Sequence, residues 1–179
     1  MVYYSMTSAS PDENFGYLNG SSIPRTLIDG CRRSEFQHIP PGKITIPGIP
    51  GNKGYLDFYI AEGSVPLISE KMRQVFDDAG ITPGEVLYRP AYITDPYGSM
   101  EPFYLMLPQK IKCLDAERSS INPIGGADPL YISSKEVGFF HIFKIAEITD
   151  KTIFVTQALR DCITSAGLNG PFFPDKIND

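Results

Sequence analysis

The chain has no tryptophan, two histidines and three cysteines among its 179 residues. Each scarcity closes off a class of chemistry. Neither His38 nor His141 has a second histidine or cysteine at metal-ligand spacing, so the sequence offers no zinc site. His38 precedes the Pro40–Pro41 turn, and His141 sits among apolar neighbours in FFHIFKI, where it reads as a hydrogen-bonded structural histidine. Cys31, Cys113 and Cys162 are far apart, odd in number and form no CxxC pair, which argues against a disulfide framework. Cys162 falls on an apolar helical stripe and Cys113 in a strand-like run, so both read as small buried hydrophobes. There is no G-x-S-x-G elbow, and a Cys–His nucleophile pair would have to be assembled from poorly placed partners. The segment GIPGNKG, Gly48 to Gly54, lacks the phosphate-loop pattern because Lys53 is followed by Gly54 and no apolar helix follows. It reads as a solvated turn.

Long hydrophobic runs are missing too. Nothing approaches the roughly 18 apolar residues of a membrane helix, and MVYYSMTSASPDENF lacks the charged and apolar regions of a secretory signal. The cytoplasm is therefore the expected location. Formal charge is −5, which leaves little general affinity for nucleic acid or anionic membrane and would suit a basic partner. Hydrophobic content of 42% with 21% charged residues describes an ordinary globular chain, long enough to bury a real core.

What is present is organised around PLISEKMRQVFDDAG, Pro66 to Gly80. Ser69 is a good N-cap, Glu70 places a carboxylate in the first turn, and Gly80 occupies a left-handed terminating position. Met72, Val75, Phe76 and Ala79 recur at i, i+3, i+4 and i+7, which makes one apolar stripe. The same pattern returns in IFVTQALRDCITSAG, Ile153 to Gly167, with Thr156 as cap. Aligning the caps aligns Met72 with Leu159, Phe76 with Ile163, Ala79 with Ala166 and Gly80 with Gly167. Duplication, or two helices reaching the same capping chemistry independently, would each explain this.

In chain order, strand candidates occur at Val2–Met6, Lys43–Ile46, Tyr55–Ile60, Glu85–Ile93, Phe103–Leu107, Ile111–Leu114, Leu130–Ile132, Phe139–Ile145 and Ile153–Val155. Ser8 to Asn14 is a polar turn, Phe15 to Cys31 is broken by glycine and proline, and Ser119 to Asp128 is a loop. Pro47 confines its strand to an edge or an overlying arm, and Pro90 suggests a bulge or edge. The expected fold class is α+β, a mainly antiparallel but mixed sheet with two principal amphipathic helices packed on it. Residues 1–54 read as a Pro/Gly-rich extension packed on a core formed by 55–179.

Ten tyrosines and eleven phenylalanines belong mostly to strands. Tyr92, Tyr97 and Phe103 differ in flanking the acidic connection TDPYGSMEP, Thr94 to Pro102. Tyrosine beside Asp95 and Glu101 is the composition of a loop that meets a basic protein. Other carboxylates include Asp77 and Asp78, a solvated helix face, and Asp115 and Glu117, which could serve chemistry with Ser119 only if they converged in a cleft. Asp115 and Ser119 instead suit backbone capping.

PLISEKMRQVFDDAG, then FYLMLPQKIKCLDAERSSI, then HIFKIAEITDKTIFVTQALRDCITSAGLNGPFF, together spanning Tyr55 to Phe173, resembles the bacterial polymorphic-toxin immunity proteins of immunity protein family eleven. The corresponding marks are Pro66 to Ser69, Tyr104–Leu105, Cys113–Leu114–Asp115 with Ser119, and the capped second helix leading to Gly170 and Phe172. The resemblance implies a non-catalytic protein, with no cofactor or metal, whose partner is a cognate toxin encoded beside it. Tyr92, Asp95, Tyr97 and Glu101 are the candidate toxin-contacting residues. The alternatives are a small-molecule-binding or hydrolytic domain using Asp115, Glu117 and Ser119, and an accessory or chaperone-like domain for an effector.

Overall fold

Strand-forming segments outnumber helices, and in the computed structural model of the protein they sort into two sheets. Residues 1–178 are described, apart from 11, 40, 63 and 150. Pro11 and Pro40, which the sequence places in turns, lie outside the described residues. The order is β1 (Val2–Ser8), β2 (Tyr17–Leu18), α1 (Arg25–Arg33), β3 (Ile44–Ile49), β4 (Phe58–Ala61), β5 (Val65–Ile68), α2 (Glu70–Asp78), β6 (Val86–Thr94), β7 (Met100–Pro108) and β8 (Lys110–Ile111). There follow α3 (Ser134–Val137), β9 (Ile142–Ile145), β10 (Ile153–Thr156), α4 (Gln157–Ser165), β11 (Pro171–Phe172) and β12 (Lys176–Asn178).

The first sheet runs β11-β1-β10-β9-β8 with β12 also paired to β1, and the second runs β2-β3-β6-β7-β5-β4. All pairings are antiparallel except β3–β6 and β8–β9. This is the α+β architecture that the strand-rich pattern predicts. Within residues 1–54, β1 supplies an interior strand of the first sheet and β3 pairs with β6 in the second.

Alternation along the strands divides the apolar residues among three layers. Phe58, Ile68 and Met106 from the second sheet meet Met6, Ile142 and Val155 from the first, together with Met72 and Phe76 of α2 and Leu159 and Ile163 of α4. The opposite face of the second sheet, including Leu67, Ile93 and Leu105, is covered by Leu27 and Cys31 of α1. The outer face of the first sheet, with Tyr3, Phe143 and Phe154, is covered by Cys113, Ile132 and Val137.

The two capped helices form as their sequences dictate. Ser69 Oγ accepts from the Met72 amide at 3.2 Å, and Thr156 Oγ1 accepts from the Leu159 amide at 3.4 Å. Gly80 and Gly167 take positive φ after each helix, and each helix follows an antiparallel hairpin, β4–β5 or β9–β10. Ser69 has a further role: its hydroxyl donates to Asp57 Oδ1 at 2.7 Å, and Asp57 Oδ2 accepts from the Asn169 amide at 2.9 Å beyond α4. Ser69→Ala is therefore expected to lose about 2 kcal/mol and Thr156→Ala about 1 kcal/mol. Denaturant midpoints that rank the two the other way would refute the extra tie through Asp57.

Several local expectations change, and the strands expected at Ile111–Leu114 and Phe139–Ile145 are confined to β8 and β9. Helix α1 arises where the sequence reads as irregular, because Pro24 at its N-cap provides no side-chain cap and Gly30 interrupts the stripe. That glycine is required by packing, since a Cβ there would lie 2.6 Å from Ile39 Cγ1. Cys162 is exposed, not buried, because Leu159 and Ile163 alone make the buried line of α4. Pro90 lies in an interior strand without a bulge: its pairing with Tyr104 is continuous, and the β3 ladder starts only at Ala91. Residues 130–132 form an isolated bridge, Leu114 to Ile132, in place of a strand.

Candidate functional site

The hairpin β6–β7 is closed by a turn whose geometry comes from Asp95 and Gly98. Asp95 Oδ1 accepts from the amides of Tyr97 and Ser99, both at 2.8 Å, and Gly98 has φ +88. The Asp95 carboxylate is thereby built into the turn. Tyr97 is left at its tip, 92% exposed.

Register separates the remaining two predicted contacts. Tyr92 pairs with Pro102 and Thr45, whereas Glu101 pairs with Ile93, whose side chain belongs to the core beneath α1. Tyr92 and Glu101 thus lie on opposite faces of the sheet. Lys43 Nζ sits 4.4 Å from the Tyr92 ring centroid and donates to Met100 Sδ at 2.8 Å. The four residues share one hairpin but not one surface.

Beside β7 the structure opens a groove of about 490 Å³. β5 pairs with β7 only through Leu67–Leu105 and Ile68–Tyr104, and the chain then turns into α2. Residues Met100 to Phe103 are left facing the segment Lys53 to Asp57 and the first turn of α2. Tyr55 meets Phe103 edge-on, with centroids 6.3 Å apart. Its hydroxyl is shielded from solvent and has no hydrogen-bond partner among the described residues. Burial raises the Tyr55 pKa, and the negative charges of Asp95 and Glu101 raise it further. Of this groove, the sequence pattern singles out Asp95 and Glu101, with Phe103 as a flanking aromatic. Tyr55 reads in sequence as an ordinary strand aromatic, and its meeting with Glu101 depends on sheet pairing between distant segments.

The second candidate cluster is a capped loop. Asp115 Oδ1 accepts from the Glu117 and Arg118 amides at 3.1 and 3.2 Å, and Oδ2 accepts from Arg118 Nε at 2.7 Å. These contacts, led by the Arg118 side chain, lower the Asp115 pKa. Ser119 Oγ accepts from the Tyr131 amide at 2.9 Å and donates to the Tyr131 carbonyl at 3.2 Å. Glu117 is exposed. Both Asp115 and Ser119 serve the backbone of the layer that covers the first sheet.

His141 is also fixed by its backbone. Its amide donates to Glu85 Oε2 at 2.6 Å, while its ring Nδ1 stands 3.4 Å from the same oxygen without hydrogen-bond geometry. Among the described residues no group of histidine, cysteine, aspartate and glutamate could hold a metal ion, and no helix is long and apolar enough to cross a membrane.

Comparison with known proteins adds the family. No curated protein matches the chain. The profile of the Immunity protein family (Imm11) matches residues 24–177, so the correspondence begins at the entry to α1, earlier than the Tyr55–Phe173 segment that carries the resemblance in sequence. The match covers α1, both capped helices, the strands β3 to β11 and the start of β12, and the chain belongs to the Immunity protein family (Imm11).

Proposed function

We propose that this protein binds a cognate bacterial toxin in the cytoplasm and neutralises it by covering its working surface, with no catalytic step of its own. The family match over residues 24–177 carries this reading. Steric occlusion needs a surface and no reacting group, and a stable interface of this kind buries about 1,600 Å² around a few aromatic anchors. The end of the β6–β7 hairpin supplies one such anchor in Tyr97 and an adjacent carboxylate in Glu101. A net charge of −5 favours encounter with a basic toxin domain.

The direct test is co-expression with the product of the adjacent gene, scoring growth and co-purification. Rescue with a stable complex is the expected result; rescue with no complex would replace binding by an enzymatic explanation. Within that assay, Tyr97→Ala should weaken the complex at least tenfold while leaving the melting temperature unchanged, since the ring is almost wholly in solvent. Asp95 is a poorer probe because its removal loosens the turn itself.

A further inference from the structure

We infer that the protein is an internal dimer: two copies of one hairpin, helix, strand and strand unit, clasped across an approximate twofold axis between α2 and α4. The first copy runs β4, β5, α2, β6 and β7. The second runs β9, β10, α4 and β12, and is completed by β1, which precedes the first copy in the chain. In space each makes the same antiparallel order of four strands, β4-β5-β7-β6 and β9-β10-β1-β12.

Independent capping would account for Ser69 and Thr156 and for nothing beyond each helix. The likeness extends well past the caps. Ile68 and Val155, each one residue before a cap, have equivalent neighbours: Ile68 pairs with Phe58 and Tyr104, Val155 with Ile142 and Tyr4. The cap amides then donate to equivalent carbonyls, Ser69 to Asp57 and Thr156 to His141, both at 2.9 Å. Arg73 and Arg160, each four residues past a cap, stand over the Tyr104 and Tyr4 rings at 4.7 and 4.4 Å. Two residues beyond those tyrosines, Met106 matches Met6. Both methionines enter the core between the sheets, together with the mates Met72 and Leu159 and the mates Phe76 and Ile163.

The ties between the copies are reciprocal, as a twofold relation requires. Beyond α4, the Asn169 amide donates to Asp57 Oδ2 at 2.9 Å, and the Asp57 amide donates to the Asn169 carbonyl at 2.7 Å. Beyond α2, Glu85 Oε2 accepts from the His141 amide at 2.6 Å. Asp57 and His141 hold the same place ahead of β4 and β9, so each loop that follows a helix clasps the hairpin entrance of the other copy. α2 packs against α4 between the two clasps. Repeats related by translation would instead direct both ties the same way along the chain. On this reading β1 is the counterpart of β7 and an integral strand of the second copy, not part of an extension laid on a finished core.

The test exchanges the two helices within the full chain. One variant carries QALRDCITSAG, the sequence of residues 157–167, at positions 70–80 and EKMRQVFDDAG at positions 157–167, which conserves the composition of the shared core. Its control carries the same exchange displaced by one place, so that each apolar stripe turns by about 100°. The variant in register is expected to unfold cooperatively within about 10 °C of the parent, and the displaced one to lose its cooperative transition. Equal behaviour of the two overturns the equivalence of the helices. Single positions give an independent reading. Phe76→Ile leaves a cavity and Ile163→Phe overpacks, so each should lower the urea midpoint. The combined variant should recover about half of the summed loss or more, because both sites line one core. A combined loss equal to the sum, or greater, overturns the twofold pairing.

Discussion

Phe143→Ala is expected to destabilise the protein by about 4 kcal/mol, lowering the urea midpoint without changing the slope of the transition. Phe143 is fully buried on β9, between Tyr3 of β1 with centroids 5.6 Å apart and Phe154 of β10 with centroids 5.9 Å apart. Each of three adjacent strands contributes one ring to the same face. Removing the middle ring leaves a cavity and breaks both ring contacts, each of which adds about 1 kcal/mol to simple burial. The cavity will not close easily. Its roof is the layer containing Ile132 and Val137, and the Tyr3 hydroxyl donates to Ser134 Oγ at 3.0 Å, which holds the roof at a fixed height. A loss below about 1 kcal/mol would show that this layer collapses onto the sheet instead of spanning it. Ile124→Ala in the same covering region, at 86% exposure, should change the midpoint hardly at all.

These rings also mark the limit of what local sequence can reveal. VYYSM and FYLML read as strands from their own composition and lie within β1 and β7, whereas of FFHIFKI only Ile142–Ile145 is strand. The caps at Ser69 and Thr156 were equally legible, because a cap needs only the residues of its own turn. Pairing is different. That the Tyr3 ring meets Phe143 depends on β1 inserting next to β10, with Tyr3 opposite Thr156, and alternating aromatics are compatible with many such partners. Helix α1 escaped for a related reason: Gly30 weakens its local signal, and the close approach of Ile39 that calls for glycine is a tertiary contact.

The candidate site shows the same division. The acidic turn with Tyr97 can be recognised from TDPYGSMEP, since Asp and Gly at those places make the turn by their own chemistry. The separation of Tyr92 from Glu101 onto opposite faces follows only from the hairpin register that sets Ile93 opposite Glu101. The groove could not. It exists because β5 ends at Ile68 while β7 continues toward Met100, and neither strand's sequence records where the other stops.

Lys144 is the residue whose behaviour departs furthest from its place in the pattern, and its replacement by methionine is expected to stabilise the protein at pH 7 by about 2 kcal/mol. It lies on β9, 2% exposed, and its Nζ donates to the Cys31 carbonyl of α1 at 3.0 Å. The C-terminal end of a helix favours a cation, yet burial dominates and pushes the Lys144 pKa down to about 8 from 10.5. The shift corresponds to about 3 kcal/mol against folding with the charge in place. Methionine keeps the length and apolar stem. It forfeits one hydrogen bond, about 1 kcal/mol, and the Cys31 carbonyl still accepts from the Ser34 amide at 3.3 Å.

The sign with pH follows from which state holds the proton. Below about pH 8 both folded and unfolded chains carry the charge, and the whole penalty applies. Between about 8 and 10.5 the folded chain has released the proton while the unfolded chain still binds it, so this group's contribution rises with pH. About 1 kcal/mol should be recovered between pH 7 and 9. Burial holds the thiols of Cys31 and Cys113 up to about 12 from 9.0, so they remain protonated in the folded chain while the unfolded chain ionises, and stability falls above pH 9 on their account. The informative quantity is therefore the difference between the Lys144→Met variant and the unaltered chain. Its advantage should shrink steadily from pH 7 to 9. A variant less stable than the parent at pH 7, with a difference that stays flat across that range, would show that the ammonium group contributes more through its bond to Cys31 than burial takes away.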